Sequence, residues 1–151
     1  MVHCGCSTSS KQIGPKHASE WAYAPNTIKV HPLTRMRVPD NKDEEPFVVV
    51  HVAFLDGDGF SCRGVGELRV EVNSNENLML DKELIDLRDS ETNRNRFDPV
   101  TRTYQLHFGN LPKDLRSVNI RAYFCVVGNK ELKSKQFRVV NHAPNELGVG
   151  E

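Results

Sequence analysis

The hydrophobic residues of this chain recur mainly at every second position, which is the period of β-strands. The clearest case is ELRVEV at residues 67–72, where aliphatic and charged side chains alternate. Alternate side chains of a strand point to opposite faces, so this segment is predicted to be a half-buried strand. Similar alternation predicts strands at residues 102–108 and 118–127.

The longest apolar run, PFVVVHVAFLD at residues 46–56, is hydrophobic on both faces. Its richness in valine, with no glycine or proline inside the run, favours a strand over a helix. A strand that is apolar on both faces has to be covered on both, which predicts the central strand of a sheet. His51 interrupts one face and is predicted to be a buried histidine with a hydrogen-bond partner.

The remaining strands are shorter and are separated by turn residues. They are predicted at residues 27–38, where Pro32 interrupts the pattern, and at 60–65, 84–87 and 132–140. Turns are predicted at DGDG (residues 56–59), at residues 73–77 and at Gly128-Asn129, and residues 89–99 read as a polar loop. About seven strands without a long helix predict an all-β fold, an antiparallel, immunoglobulin-like β-sandwich. A transthyretin-like sandwich or a small barrel would give nearly the same pattern.

The 151 residues are enough for one domain with a buried core. We expect a flexible linker at residues 1–26, the sandwich at 27–141 and a polar tail at 142–151. The 20 basic residues equal the 20 acidic ones, which argues against nucleic acid as a partner. No apolar run approaches the roughly 18 residues of a membrane span.

The N-terminus has neither the charged nor the apolar region of a signal peptide. Its Gly5-Cys6 junction, followed by Ser and Thr, is similar to the end of a bacterial lipoprotein leader whose upstream part is missing. On this hypothesis Cys6 carries a lipid anchor, and the protein lies in the cell envelope or a periplasm-like compartment; without a leader we expect the cytoplasm. The alternatives are a disordered N-terminus, or a metal or redox role for His3, Cys4 and Cys6, which lack the further ligands of a zinc site.

Four phrases of the chain carry a resemblance: HPLTRMRV, FVVVHVAFLDGDG, GELRVEV and FDPVTRTYQLHF. Together they resemble a group of small exported proteins of planctomycete bacteria, many with a lipoprotein-type leader and none with an assigned activity. The resemblance covers about residues 27–140 and rests on strands and turns. It implies a sandwich fold and an envelope location, and it implies no site.

Two features are candidates for metal binding or cross-linking. Asp56 and Asp58 place paired carboxylates on one tight loop, which suits calcium, although a plain turn needs the same residues. Cys62 and Cys125 are disulfide candidates in an oxidising compartment. Because Cys62 lies beside a turn rather than in the strand opposite Cys125, two free thiols are favoured over the bridge.

A short pattern occurs twice, as PLTR at residues 32–35 and as PVTR at residues 99–102. It is explained either by strand entries, in which Thr and Arg bind neighbouring backbone or carboxylates, or by a duplicated recognition element. His51 and His107 lie in separate strands. No nucleophile, zinc or phosphate-binding motif accompanies them.

These observations predict a non-enzymatic β-sandwich that acts as an interaction or structural module of the cell envelope. Its expected partner is a protein or an envelope component, and no cofactor is expected. The alternative hypothesis is a ligand- or calcium-binding domain that uses the loops at residues 56–59 and 94–98. An enzyme whose site is assembled from distant residues such as His51 and His107 is a third hypothesis.

Overall fold

The computed structural model describes residues 23–39, 43–126 and 131–141. In these ranges the chain forms two antiparallel sheets that are not closed into a barrel, which confirms the predicted all-β sandwich. Most of the predicted linker, the predicted tail and the Gly128-Asn129 turn lie outside the described residues. No helix in the described ranges is long and apolar enough to cross a bilayer.

The elements in chain order are β1 (Thr27–Val30), β2 (Arg35–Arg37), β3 (Phe47–Leu55), β4 (Ser61–Cys62), β5 (Gly66–Asn73), β6 (Met79–Asp86), α1 (Ser90–Arg96), β7 (Phe97–Asp98), β8 (Thr103–Phe108), β9 (Ser117–Val126), β10 (Glu131–Lys133) and β11 (Phe137–Val140).

The front sheet consists of β1, β2, β3, β4, β7 and β8 and is built on β3. Strands β1 and β2 pair with β3 along one edge, β8 and β4 pair along its other edge, and β7 lies beyond β8. The prediction that the long apolar run is a central strand is therefore confirmed. From Val48 to Phe54 every side chain of β3 is buried.

The back sheet consists of β5, β6, β9, β10 and β11. Its longest strand, β9, pairs with β5 on one side and with β10 and then β11 on the other. Strand β6 pairs with β5 and forms an edge of this sheet.

The core lies between the sheets and is lined by the inward residues of β3, β5, β8 and β9. Three aromatic rings meet at its centre: Phe54 lies 4.5 Å from Phe124 and 5.3 Å from Tyr104, measured between ring centroids. The other fully buried side chains include Val48, Val50, Val52, Leu68, Val70, Leu87, Leu106, Phe108 and Ile120.

Helix α1 was not expected, because residues 89–99 read as a polar loop. Its seven residues contain no apolar side chain, and the one that is buried is Asn93. The Asn93 amide donates to the carbonyls of Gly64 and Leu87 and accepts from the Tyr104 hydroxyl. Asp89 caps the helix by accepting from the Thr92 N–H at 2.8 Å. Polar side chains thus hold this element, and an apolar period could not have indicated it.

Several strand boundaries also differ from the predicted ones. The segment at 27–38 forms two strands with a turn between them, and the predicted strand at 60–65 shrinks to Ser61–Cys62. Strand β6 starts at Met79 rather than Leu84, because backbone pairing with β5 sustains it although its side chains are mostly exposed. The segment at 132–140 divides at Ser134, whose hydroxyl accepts the Ala122 N–H at 2.9 Å.

Candidate functional site

A groove of about 470 Å³ lies on the outer face of the front sheet, the face turned away from the core. The central strand β3 contributes Phe47, Val49 and His51 to it. The residues on either side come from β2 and the turn before it, and from β7, β8 and the loop between them: Leu33, Arg35, Arg37, Asp98, Thr101, Gln105 and His107. We call this site the outer-face groove.

Strand register places these residues in cross-strand rows. Val49 has Arg35 on one side and His107 on the other, and Arg37 lies across from Phe47. The next rows along contain His51 with Gln105, and then Thr103 with Asp98. Directly paired residues of antiparallel strands share a face, so one face carries two guanidinium groups at one end and a carboxylate at the other.

A chain of hydrogen bonds connects His51 to the carboxylate end. His51 Nδ1 lies 2.9 Å from Thr103 Oγ1, which lies 2.8 Å from Thr101 Oγ1. Thr101 Oγ1 is in turn 3.0 Å from Asp98 Oδ2. His51 and Thr103 are buried, whereas Thr101 and Asp98 are partly exposed.

The Asp98 carboxylate, at the end of this series of hydrogen bonds, determines which group donates in each of them. The ionised Asp98 carboxylate only accepts, so the single hydroxyl hydrogen of Thr101 goes to it. Thr103 must then donate to Thr101, which leaves the Thr103 oxygen to accept from His51 Nδ1–H. Neutral His51 is therefore protonated at Nδ1, and its lone pair is on Nε2.

The backbone of His51 is fixed as well. Its N–H donates to Thr34 Oγ1 at 2.9 Å, and the Thr34 hydroxyl lies 3.3 Å from the His51 carbonyl oxygen. Burial lowers the pKa of His51 below its ordinary value of 6.5. The nearby His31, Arg35 and His107 lower it further, while Asp98 acts in the opposite direction. The prediction of a buried histidine with a hydrogen-bond partner is confirmed.

The Asp98 carboxylate is already engaged by the protein. Its Oδ1 accepts the Val100 N–H at 2.8 Å and the Thr101 N–H at 3.5 Å, and its Oδ2 accepts the Thr101 hydroxyl and the Gln105 amide. The Val100 and Thr101 bonds lower the pKa of Asp98. Asp98 therefore orders the loop between β7 and β8, and it offers a ligand few free lone pairs.

The opposite end of the groove is different. Arg35 and Arg37 are both exposed, and neither forms an ion pair or a side-chain hydrogen bond with a residue in the described ranges. His107 is exposed beside them. Within the described ranges, this end therefore presents cationic and hydrogen-donating side chains that form no internal ion pair or side-chain hydrogen bond.

The two Pro-x-Thr-Arg segments come together on either side of His51. Thr34 binds its backbone, and Thr101 belongs to the chain that ends at its ring. Arg102 donates to the Ser61 carbonyl at 3.1 Å, as a strand entry requires. Arg35 departs from this structural role, since it lines the outer-face groove instead.

The calcium candidates serve the turn that follows β3. Asp56 is buried, and its Oδ1 accepts the N–H groups of Asp58 and Phe60 at 3.0 and 2.9 Å. Gly59 has a φ of +87°, which suits glycine. Among the described residues no group of three or more His, Cys, Asp or Glu side chains is arranged to hold a metal ion.

The loop at residues 94–98, the other half of the alternative ligand site, is likewise engaged locally. Arg94 and Arg96 lie in α1 rather than in a loop. The Arg96 guanidinium pairs with Glu83 at 2.7 Å, and Asp98 holds its own loop.

The two cysteines considered as disulfide candidates are both free in the structure. Cys62 packs against the core from the front sheet, whereas Cys125 is exposed on the outer face of the back sheet. Burial, and then Asp56, raise the pKa of Cys62 to about 11. Cys6, the candidate lipid site, lies outside the described residues.

No protein-family model matches this chain, and comparisons with curated proteins and with solved structures likewise find no match.

Sequence reasoning singled out His51, His107 and Arg35 but missed the roles of Arg37, Gln105 and Asp98. The residues RMR at 35–37 carry a usable signal, since a buried Met36 between two arginines is typical of an edge strand with a cationic face. Linking these arginines to His107 requires knowing that β2 and β8 flank the same strand.

Proposed function

We propose that this protein is a non-enzymatic binding module and that the outer-face groove is its binding surface. The observation that carries the proposal is the contrast within the groove. At one end the polar side chains form internal hydrogen bonds, while at the other Arg35 and Arg37 are exposed and have no ion-pair or side-chain hydrogen-bond partner among the described residues. The volume of about 470 Å³ falls within the range of small-molecule sites, roughly 300–1,000 Å³.

Binding is favoured over catalysis because the reactive groups of the groove are engaged. The Thr103 hydroxyl hydrogen goes to Thr101, and the Asp98 oxygens accept four bonds. An activated nucleophile needs an adjacent base in contact with it, and His51 instead donates its Nδ1–H to Thr103. The arrangement supports a rigid surface that holds a ligand.

The module is proposed to act in the cell envelope. This part of the proposal is supported by the sequence alone, through the lipoprotein-like Gly5-Cys6 junction and the resemblance to small exported proteins.

The proposal is tested by titrating the ¹⁵N-labelled protein with a set of small neutral, cationic and anionic fragments while recording amide shifts. We expect the shifts to cluster in β2, β3 and β8, next to the groove. Amides of the back sheet around Leu84 and Lys133 provide the internal control, because these residues lie on the opposite face. Shifts confined to the back sheet, or none at all, would contradict the proposal. Chemical conversion of a bound fragment would contradict its non-enzymatic part.

A further inference from the structure

Building on the proposed function, we propose that the outer-face groove takes an amphiphilic anion, namely an apolar body that carries one carboxylate. The carboxylate binds at the end formed by Arg35, Arg37 and His107, and the apolar body lies over the neighbouring floor of the groove.

The position of the anion follows from the cross-strand rows. Arg35 and His107 flank Val49 on either side, and Arg37 is two residues from Arg35 on the same face. Adjacent strands are about 4.8 Å apart, so both side chains can reach an oxygen pair held above Val49. A guanidinium group forms two parallel bonds to a carboxylate, and an imidazole adds a donor in either protonation state.

The floor beside these cations is apolar. Val49 is only 9% exposed, Phe47 is half-buried, and Leu33 at the rim is 45% exposed. A fully hydrated inorganic anion would leave this surface wet, whereas a hydrocarbon chain would cover it. The combination therefore favours an anion attached directly to an apolar body.

The acidic end of the groove does not argue for a cation. Asp98 pairs with Thr103, which is four residues from His107 along β8. At about 3.4 Å per residue, the carboxylate lies roughly 14 Å along the strand from the proposed anion. Because its oxygens already accept four hydrogen bonds, Asp98 is a poor ligand for an ammonium group.

The test uses hexanoate as the probe, with amide shifts giving both the position and the dissociation constant. We expect hexanoate to shift the amide resonances of residues around Arg35, Val49 and His107. We also expect it to bind at least about tenfold more tightly than 1-hexanol, which lacks the charge. It should also bind about tenfold more tightly than acetate, which lacks the chain. Inorganic phosphate and hexylamine complete the series, and both are expected to bind more weakly.

Variants check which residues hold the carboxylate. Arg35→Gln and Arg37→Gln are each expected to weaken hexanoate about tenfold, while binding of 1-hexanol stays unchanged. Arg116→Gln is the matched control, because Arg116 is an exposed arginine in the loop before β9 and not part of the groove. Both groove arginines are exposed, so these variants should keep the fold, which their amide spectra verify.

Several outcomes would overturn the inference. Equal affinity for 1-hexanol and hexanoate would show that the negative charge does not contribute to binding. Equal affinity for phosphate and hexanoate would show that the apolar body does not contribute. Tighter binding of hexylamine would show that the groove prefers a cation. Failure of every probe in this series also overturns it. If other fragments still shift the groove amides, the proposed function survives; if none do, both fail.

Discussion

At the scale of single residues, polar side chains decide which parts of this sandwich are fixed. Thr34 and Thr103 hold His51 from its backbone and its ring, and Asp98 orders the loop beside them. Because these bonds are satisfied within the protein, they rigidify the groove rather than bind a ligand. Arg35 and Arg37, whose side chains form no such bonds within the described ranges, mark the end that is proposed to bind a ligand.

His51 gives the protein a pH-dependent stability. Its pKa is lower in the folded protein than the ordinary 6.5, so the unfolded chain takes up a proton first as the pH falls. The free energy of unfolding is therefore expected to decrease as the pH falls through 6.5, and this loss ends below the folded pKa. Urea denaturation between pH 7.5 and 5 should show a shallower decrease for His51→Gln than for the wild type. His107→Gln, at an exposed site, is the control and should keep most of the wild-type decrease. If the free energy of unfolding falls equally with pH in the wild type and in His51→Gln, His51 is not the group responsible.

Gly66 is a second residue with a measurable role. A Cβ at this position would lie 2.3 Å from the Cys125 carbonyl oxygen, which is backbone and cannot move aside cheaply. We expect Gly66→Ala to lower the free energy of unfolding by about 1–3 kcal/mol, as overpacking does in other cores. Gly109→Ala is the control, because a Cβ there meets nothing within 4 Å. Equal stability of the two variants in urea denaturation would show that strand β9 yields at this point.

At the scale of elements, α1 is attached by polar side chains: Arg96 pairs with Glu83 at the surface, and Asn93 forms the buried contacts. Asn93 links it to Gly64, Leu87 and Tyr104, which belong to separate segments of the chain. Asn93→Ala leaves the Tyr104 hydroxyl and two carbonyls without this partner. The expected cost is about 1–3 kcal/mol of unfolding free energy. Amide exchange in residues 90–96 should become faster than in the wild type.

Asn95→Ala provides the control on the same helix, because Asn95 is exposed. It should leave both the unfolding free energy and the exchange rates nearly unchanged. If the two variants behave alike, α1 is held by something other than the Asn93 amide.

Elements with a strong hydrophobic period were predicted well from the sequence, and those without one were not. Strands β3, β5, β8 and β9 bury alternate side chains or both faces, so their pattern indicates them directly. Strand β6 and helix α1 are stabilised by backbone pairing and by Asn93, which leave no apolar signature. For the same reason His51 could be predicted as buried, while its contact with Thr103 depended on strand order.

At the scale of the whole molecule, the two sheets share one core. Phe54 and Tyr104 from the front sheet meet Phe124 from the back sheet, and all three side chains are fully buried. The two sheets also meet outside the core centre. Strand β1 of the front sheet lies close to β9 and β10 of the back sheet, and α1 lies against both β6 of the back sheet and β7 of the front sheet. We therefore expect the sheets to unfold together as one cooperative unit.

Phe124→Leu tests this cooperativity. Losing the ring removes its contact with Phe54 at 4.5 Å and leaves space in the centre of the core, so we expect a cost of about 1–2 kcal/mol. Because the core is shared, slowly exchanging amides of β3 should lose the same protection as those of β9, measured by native-state hydrogen exchange. Val140→Ala, at a residue that is 46% exposed, is the control and should change neither the free energy of unfolding nor the protection of these amides. Loss of protection confined to the back sheet would show that the front sheet, and the groove on it, is stable without its partner sheet.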